Sequence, residues 1–270
     1  MSTIRIGCQT YTWEMLGDRW RGTVDDILDA TSAAGYAGIE ISANVIGDYY
    51  DRPEDFARAI RDRGLAMAAF AYASPHGFTD PAHWEEETRA AERALAFAGQ
   101  FEHPLLGLGG AASPDRSDYD RKLEHACQFY NRVGVRGREI GVRVAVHPHS
   151  HHGSLVKSTE EYDRLLAKTD PATVAFNPDV GHIIRGGQDA VACFRRHLDR
   201  IAHVHFKDVD GRGSWRPMGE GVADFAVLLG MLSEAGYEGW VVLEEESDAV
   251  FEDERVAIRR NREYLRSLGY

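Results

Sequence analysis

The chain has 270 residues, a formal net charge of −12, 43% hydrophobic residues and 27% charged residues. That length suits one large α/β domain over residues 1–270 with a sizeable core, and no run approaches the roughly 20 apolar residues of a membrane span. The acidic balance disfavours nucleic-acid phosphates as a partner, while Cys8, Cys127 and Cys193, far apart and unpaired in spacing, fit buried thiols in a reducing cytoplasm. The start, Met1-Ser2-Thr3-Ile4, leads straight into a strand without a signal-peptide core, so the expected location is cytoplasmic.

Ile4 to Cys8 reads as the first strand, followed by a polar-aromatic loop with Gln9, Tyr11, Trp13 and Trp20. Thr23 caps a helix through Ala34, with Asp25 and Asp26 in its first turn. Tyr36 to Ile41 is strand two, Pro53 to Arg63 a helix, and Leu65 to Tyr72 strand three. A long helix starts at Pro81, Pro104 to Leu108 is strand four, and a helix from Ser117 or Asp118 runs to about Ile140. Val142 to His147 is strand five; Ser158 and Glu161 have the spacing of a capping box for the next helix. Val174 to Asn177 is strand six, a helix lies near Gln188 to His197, and Ile201 to Phe206 is strand seven. Asp224 to Ala235 is a helix, Trp240 to Glu244 is strand eight, and a last helix runs from about Phe251 to Leu268. Strands alternating with long helices imply parallel pairing, and eight such units predict a (β/α)₈ TIM barrel. In a barrel all eight strand ends lie on one face, so residues far apart in sequence meet there.

Four of those ends carry chemistry. Strand five ends in His147-Pro148-His149, strand six leads to Asp179 with His182 three residues on, strand seven ends in His205, and strand eight ends in Glu244-Glu245-Glu246. His147, Asp179, His205 and Glu244 are the expected ligands of one metal ion. His203, two before His205 and on the same face, is expected inside the barrel. His149 is expected beside the ligands as a second partner or proton donor, and His182, Trp13 and Lys207 around the substrate. Glu245 is expected to be an ordinary surface acid, whereas Glu246 shares a face with Glu244. Two imidazoles and two carboxylates suit manganese or cobalt, with iron, zinc or magnesium as alternatives, better than calcium. Such an ion polarises a carbonyl and favours an enediolate beside it.

The blocks Asp179-Val180-Gly181-His182, His203-Val204-His205-Phe206-Lys207-Asp208, Gly219-Glu220-Gly221 and Trp240 to Glu244 resemble those of the xylose-isomerase-like TIM-barrel superfamily. That superfamily holds sugar isomerases and epimerases, inosose dehydratases and endonuclease IV. The resemblance implies one divalent metal, with the family's strand-six Asp, strand-seven His and strand-eight Glu falling on Asp179, His205 and Glu244. Its substrate-contacting His falls on His182. Where most isomerases have a strand-five Glu, this chain has His147. A His-rich strand five and the Gly239-to-Glu244 ending resemble the inosose dehydratase branch, which removes water from a keto-inositol. The loop Asp210 to Met218 is shorter than the insertion usual there.

The expected reaction is therefore loss of a proton α to a carbonyl, through an enediolate, on a small carbohydrate or cyclitol. Elimination is favoured over isomerisation or epimerisation, because two-base epimerisation needs a second carboxylate where His147 stands. A metal-bound neutral imidazole has no free nitrogen to take a proton. Glu244 or Glu246 would serve as base and His149, as a cation, as acid. An endonuclease-IV-like nuclease is disfavoured by the charge, and a non-catalytic binding barrel by the four intact strand ends. No membrane partner is expected, and a homo-oligomer is compatible with the sequence.

Overall fold

The computed structural model of the protein describes residues 4–270; the expectation for Met1, Ser2 and Thr3 lies outside the described residues. The frame is β1 (Arg5–Gln9), β2 (Gly38–Ser42), β3 (Ala66–Tyr72), β4 (Leu105–Gly109), β5 (Arg143–His147), β6 (Val174–Phe176), β7 (Val204–Phe206) and β8 (Trp240–Leu243). These eight strands pair in the order β6-β5-β4-β3-β2-β1-β8-β7, every pair parallel. The ring closes between β6 and β7 through two single bridges, Phe176 to Ile201 and Asp179 to His205. The expected (β/α)₈ barrel is the observed fold.

Around it lie α1 (Tyr11–Leu16), α2 (Val24–Ala33), α3 (Pro53–Asp62), α4 (Trp84–Ala98), α5 (Tyr119–Glu139), α6 (Thr159–Lys168), α7 (Val180–Arg185), α8 (Ala190–His197), α9 (Phe225–Glu234) and α10 (Glu254–Ser267). Local chemistry sets their starts. Thr23 and Asp26 form a reciprocal capping box on α2, and Ser158 and Glu161 form one on α6. Pro53 opens α3, where its missing N–H removes nothing from the helix. The main apolar core lies between strands and helices, as in Leu106, Val144 and Phe176 packed with Leu95, Tyr130 and Tyr162. On α5, Gly134 and Gly137 permit close approach to the sheet: a Cβ at either would meet a backbone carbonyl oxygen at 2.8 or 2.6 Å.

The barrel interior is different. Gln9, Ser42, Gly109 and His147 line the cavity at the strand ends. Alternation then puts Gly7, Gly107 and Ala145 on the inward face below them. These small residues leave room for the large polar side chains of Glu40, His203 and His205.

Three local expectations are corrected. The loop after β1 is helix α1, whose six residues are too few to show a helical period. The segment after Asp179, where the sequence predicts no helix before Gln188, is helix α7. The loop after β7 folds back as a two-residue antiparallel ribbon, Asp208–Val209 against Trp215–Arg216. Helices α4 and α10 also start later than expected, each after a 3₁₀ turn, at Pro81–His83 and Asp248–Phe251. No described helix is long and apolar enough to cross a membrane.

Candidate metal centre

At the strand ends, His147, Asp179, His205 and Glu244 offer one donor atom each, all within 4.8 Å of one another. Each comes from a different strand or the residues just after it. His147 is the last residue of β5, His205 sits in β7, and Glu244 follows β8. Asp179 follows β6 through Asn177 and Pro178 and caps α7. Its two oxygens divide the work. Oδ1 accepts the His182 backbone N–H at 2.7 Å. Oδ2 lies 3.6 Å from His147 Nε2. Both of those last atoms are buried without a hydrogen-bond partner. Leaving such atoms unsatisfied costs about 1–3 kcal/mol each, so facing orphans mark a ligand site.

His205 is fully buried between two carboxylates. Its Nδ1 lies 3.0 Å from Glu244 Oε2 and its Nε2 2.9 Å from Glu40 Oε2. Burial opposes its charge, but Glu40 and Glu244 outweigh it and push its pKa up to about 10. His203, inside the barrel as expected, pairs with the same Glu40 oxygen at 2.6 Å. Glu40 is a site residue that the sequence reading missed, as are Glu14 and Asn44 at the cavity. The signal for Glu40 is an acid between Ile39 and Ile41 in a strand buried at every position, where a carboxylate needs a partner.

Lys207 lies below the cavity, 1% exposed, and is not among the cavity-lining residues. Its Nζ is 3.1 Å from Glu244 Oε1, 3.6 Å from Asp179 Oδ2, and ion-paired with Glu246. Burial opposes its charge, yet Asp179, Glu244 and Glu246 hold it firmly as an ammonium. The same charge holds Glu244 and Asp179 ionised against their burial. An ammonium only donates, so His182 Nε2, 3.1 Å away, accepts. On the other side of the ring, His182 Nδ1 accepts the Ser150 backbone N–H at 3.1 Å and lies 2.8 Å from Ser150 Oγ. The expectation that Lys207 reaches a substrate oxygen directly is corrected: its donors are turned to protein partners.

A cavity of about 200 Å³ opens over the cluster, lined by His147, His149, His182, Glu244 and Glu246. Tyr11, Glu14 and Asn44 also line it, with Glu14 bonded to Ser42 and to Asn44 Nδ2. Larger cavities of about 810 and 770 Å³ lie beside His76 and His125 and at the opposite barrel end near Arg5 and Arg143. Donor chemistry, rather than volume, marks the site. Trp13 is corrected: it is 3% exposed and belongs to the apolar core, and Tyr11 is the aromatic that lines the cavity. His149 is in place, but burial and the neighbouring His147 and His151 keep its pKa well below the usual value. That favours the neutral imidazole in this arrangement. Burial, with Glu244 adding, pushes Glu246 up, against the pull of Lys207. Glu245 is buried rather than a surface acid, and it accepts hydrogen bonds from Ser247 N–H at 2.6 Å and Asn261 Nδ2 on α10 at 2.7 Å.

These shifts predict a stability maximum for chelator-treated protein near pH 6.5. Buried neutral His149 and His182 have depressed pKa values. Below 6.5 the unfolded chain binds protons that they refuse, so stability falls by about 1.4 kcal/mol per pH unit for each. His205 acts oppositely: its raised pKa gives stability that is complete below 6.5 and is lost as pH rises toward 10. Urea midpoints from pH 5 to 9 measure this. A midpoint that does not fall between pH 6.5 and 5 would remove the neutral imidazoles from the account.

The xylose isomerase-like TIM barrel family matches residues 28–268. An inosose dehydratase from Lacticaseibacillus casei is 29% identical over 255 residues, covering 84% of this chain and 83% of that protein. Among solved structures, the IOLI protein with a bound zinc atom superposes with a TM-score of 0.80 at 14% identity, covering 98% of both chains. The probable 3-DHS dehydratase AsbF of Bacillus anthracis gives 0.78 at 15%, covering 97% of this chain and 98% of that one. Family match and barrel agree, and the chain belongs to the xylose isomerase-like TIM barrel family.

Proposed function

We propose that this chain is a divalent-metal-dependent dehydratase acting on a small keto-cyclitol or keto-sugar. The observation that carries the reading is the four-donor cluster at the cavity floor, with the orphaned His147 Nε2 and Asp179 Oδ2 facing each other. The dehydratase similarity over most of the chain supports the direction of the chemistry. His147, Asp179, His205 and Glu244 would hold the ion, and two nitrogens with two carboxylates favour manganese or cobalt. The bound ion supplies carbonyl polarisation, which acidifies the neighbouring C–H.

The protein residues supply the rest. Elimination needs a group to take the α proton and a group to protonate the leaving hydroxyl. Glu246 and His149 line the cavity outside the four-donor set and form that pair. Lys207 holds Glu246 by an ion pair and His182 by a hydrogen bond, which fixes both at the cavity wall. Tyr11, Glu14 and Asn44, which also line the cavity, offer polar contacts to substrate hydroxyls. The test is to incubate keto-inositols and 3-keto sugars with protein and Mn²⁺ or Co²⁺, following product mass and ultraviolet absorbance. A product lighter by one water, with enone absorbance, is expected. A product of unchanged mass with a moved carbonyl or inverted carbon would replace dehydration by isomerisation.

A further inference from the structure

Glu40 lines the cavity but is not one of the four donors; it is buried in the barrel and contacts one of them, His205. One oxygen, Oε2, stands 2.6 Å from His203 Nε2 and 2.9 Å from His205 Nε2. All three side chains are at most 1% exposed. These three could be read as a second metal cluster, since their donor atoms also lie close together. The spacing argues otherwise. Two donors about 2.1 Å from one ion in a tetrahedral array are roughly 3.4 Å apart. The 2.6 Å contact between His203 and Glu40 is a hydrogen-bond length.

A carboxylate accepts only, so both imidazoles donate to it from Nε2. That leaves Nδ1, 3.0 Å from Glu244 Oε2, as the His205 nitrogen on the side of the four-donor set, the one that would give up its proton to a metal. His203 serves Glu40 in turn, holding its oxygen from the side away from the cavity. We propose that Glu40, braced by His203, is a positioning residue that fixes the His205 tautomer and commits Nδ1, rather than Nε2, to the metal. The inference rests on the metal reading above. Partners of this kind orient a ligating imidazole and raise its basicity, and their loss typically lowers metal affinity by about 10–100-fold.

The test uses Zn²⁺ as the probe on the full-length chain labelled with ¹⁵N-histidine. Long-range proton–nitrogen spectra identify which nitrogen of each ring carries a proton. With zinc bound, His205 is expected to keep its proton on Nε2 and to show a metal-shifted Nδ1, with His203 protonated on Nε2. Zinc bound through His205 Nε2 would overturn the inference alone. Zinc that leaves both His147 and His205 unshifted would overturn the metal reading, and this inference with it. The variant Glu40→Gln adds a second measure, by competition against a chromophoric chelator and by the visible spectrum of bound Co²⁺. A 10–100-fold weaker affinity with an altered cobalt spectrum is expected. A folded variant, checked by circular dichroism, with parental affinity and spectrum would count against Glu40. If that variant does not fold, the parental nitrogen spectra decide.

Discussion

Replacing Asp179 with alanine is expected to abolish metal retention and to lower turnover by roughly a thousand-fold, the scale of several kcal/mol of lost charge stabilisation. Asp179 Oδ2 is an orphaned buried oxygen in the four-donor set, while Oδ1 caps α7 through the His182 N–H. The alanine variant would therefore lose the proposed ligand and a helix cap together, and the cap alone is worth about 1 kcal/mol. Asp179→Asn separates the two, because asparagine caps well but brings no charge. Metal content after dialysis against chelator, measured for both variants, reads the ligand role. If Asp179→Asn keeps full occupancy, Asp179 is a cap and not a ligand.

The second large effect is expected at Lys207. Its ammonium is enclosed by Asp179, Glu244 and Glu246 at 1% exposure. Lys207→Met keeps much of the volume and leaves the carboxylates facing one another without a cation. Removing one partner from a buried charge network typically destabilises by about 3–5 kcal/mol. Chelator-treated variant should lose about that much in urea unfolding, and Mn²⁺ should restore a large part by supplying positive charge at the same carboxylates. A variant within 1 kcal/mol of the parent in chelator would show that the network does not depend on this lysine.

The barrel and the four tips were legible because each tip is a sharp change in the sequence. Val144-Ala145-Val146 turns to His147, and Val241-Val242-Leu243 turns to Glu244. Such steps mark where a buried strand meets the open face. Glu40 has no such step, for Ile39 and Ile41 on either side read as plain alternation; only the depth of β2 makes the acid unusual. Trp13 and Tyr11 could not be told apart, since choosing between them depends on α1, a helix of one and a half turns. Asp179 reads from sequence as a cap or a ligand, yet its two oxygens do different things. The neutrality of His149 is set by His147, His151 and burial, which no linear spacing shows.

The ring of strands has one seam. Every other junction is held by three or more paired residues, whereas β6 and β7 meet only at two bridges. From Phe176 to Asp179 on one side the chain advances three residues, and from Ile201 to His205 on the other, four. That mismatch is a bulge, and it thins the lateral bonding where it falls. The upper bridge joins Asp179 to His205, through the His205 N–H to the Pro178 carbonyl at 2.9 Å. An ion held as proposed would therefore stitch across the seam with side chains where the backbone is most sparingly joined. The hoop of the barrel and its chemistry would then fail or hold together, at one pair of residues.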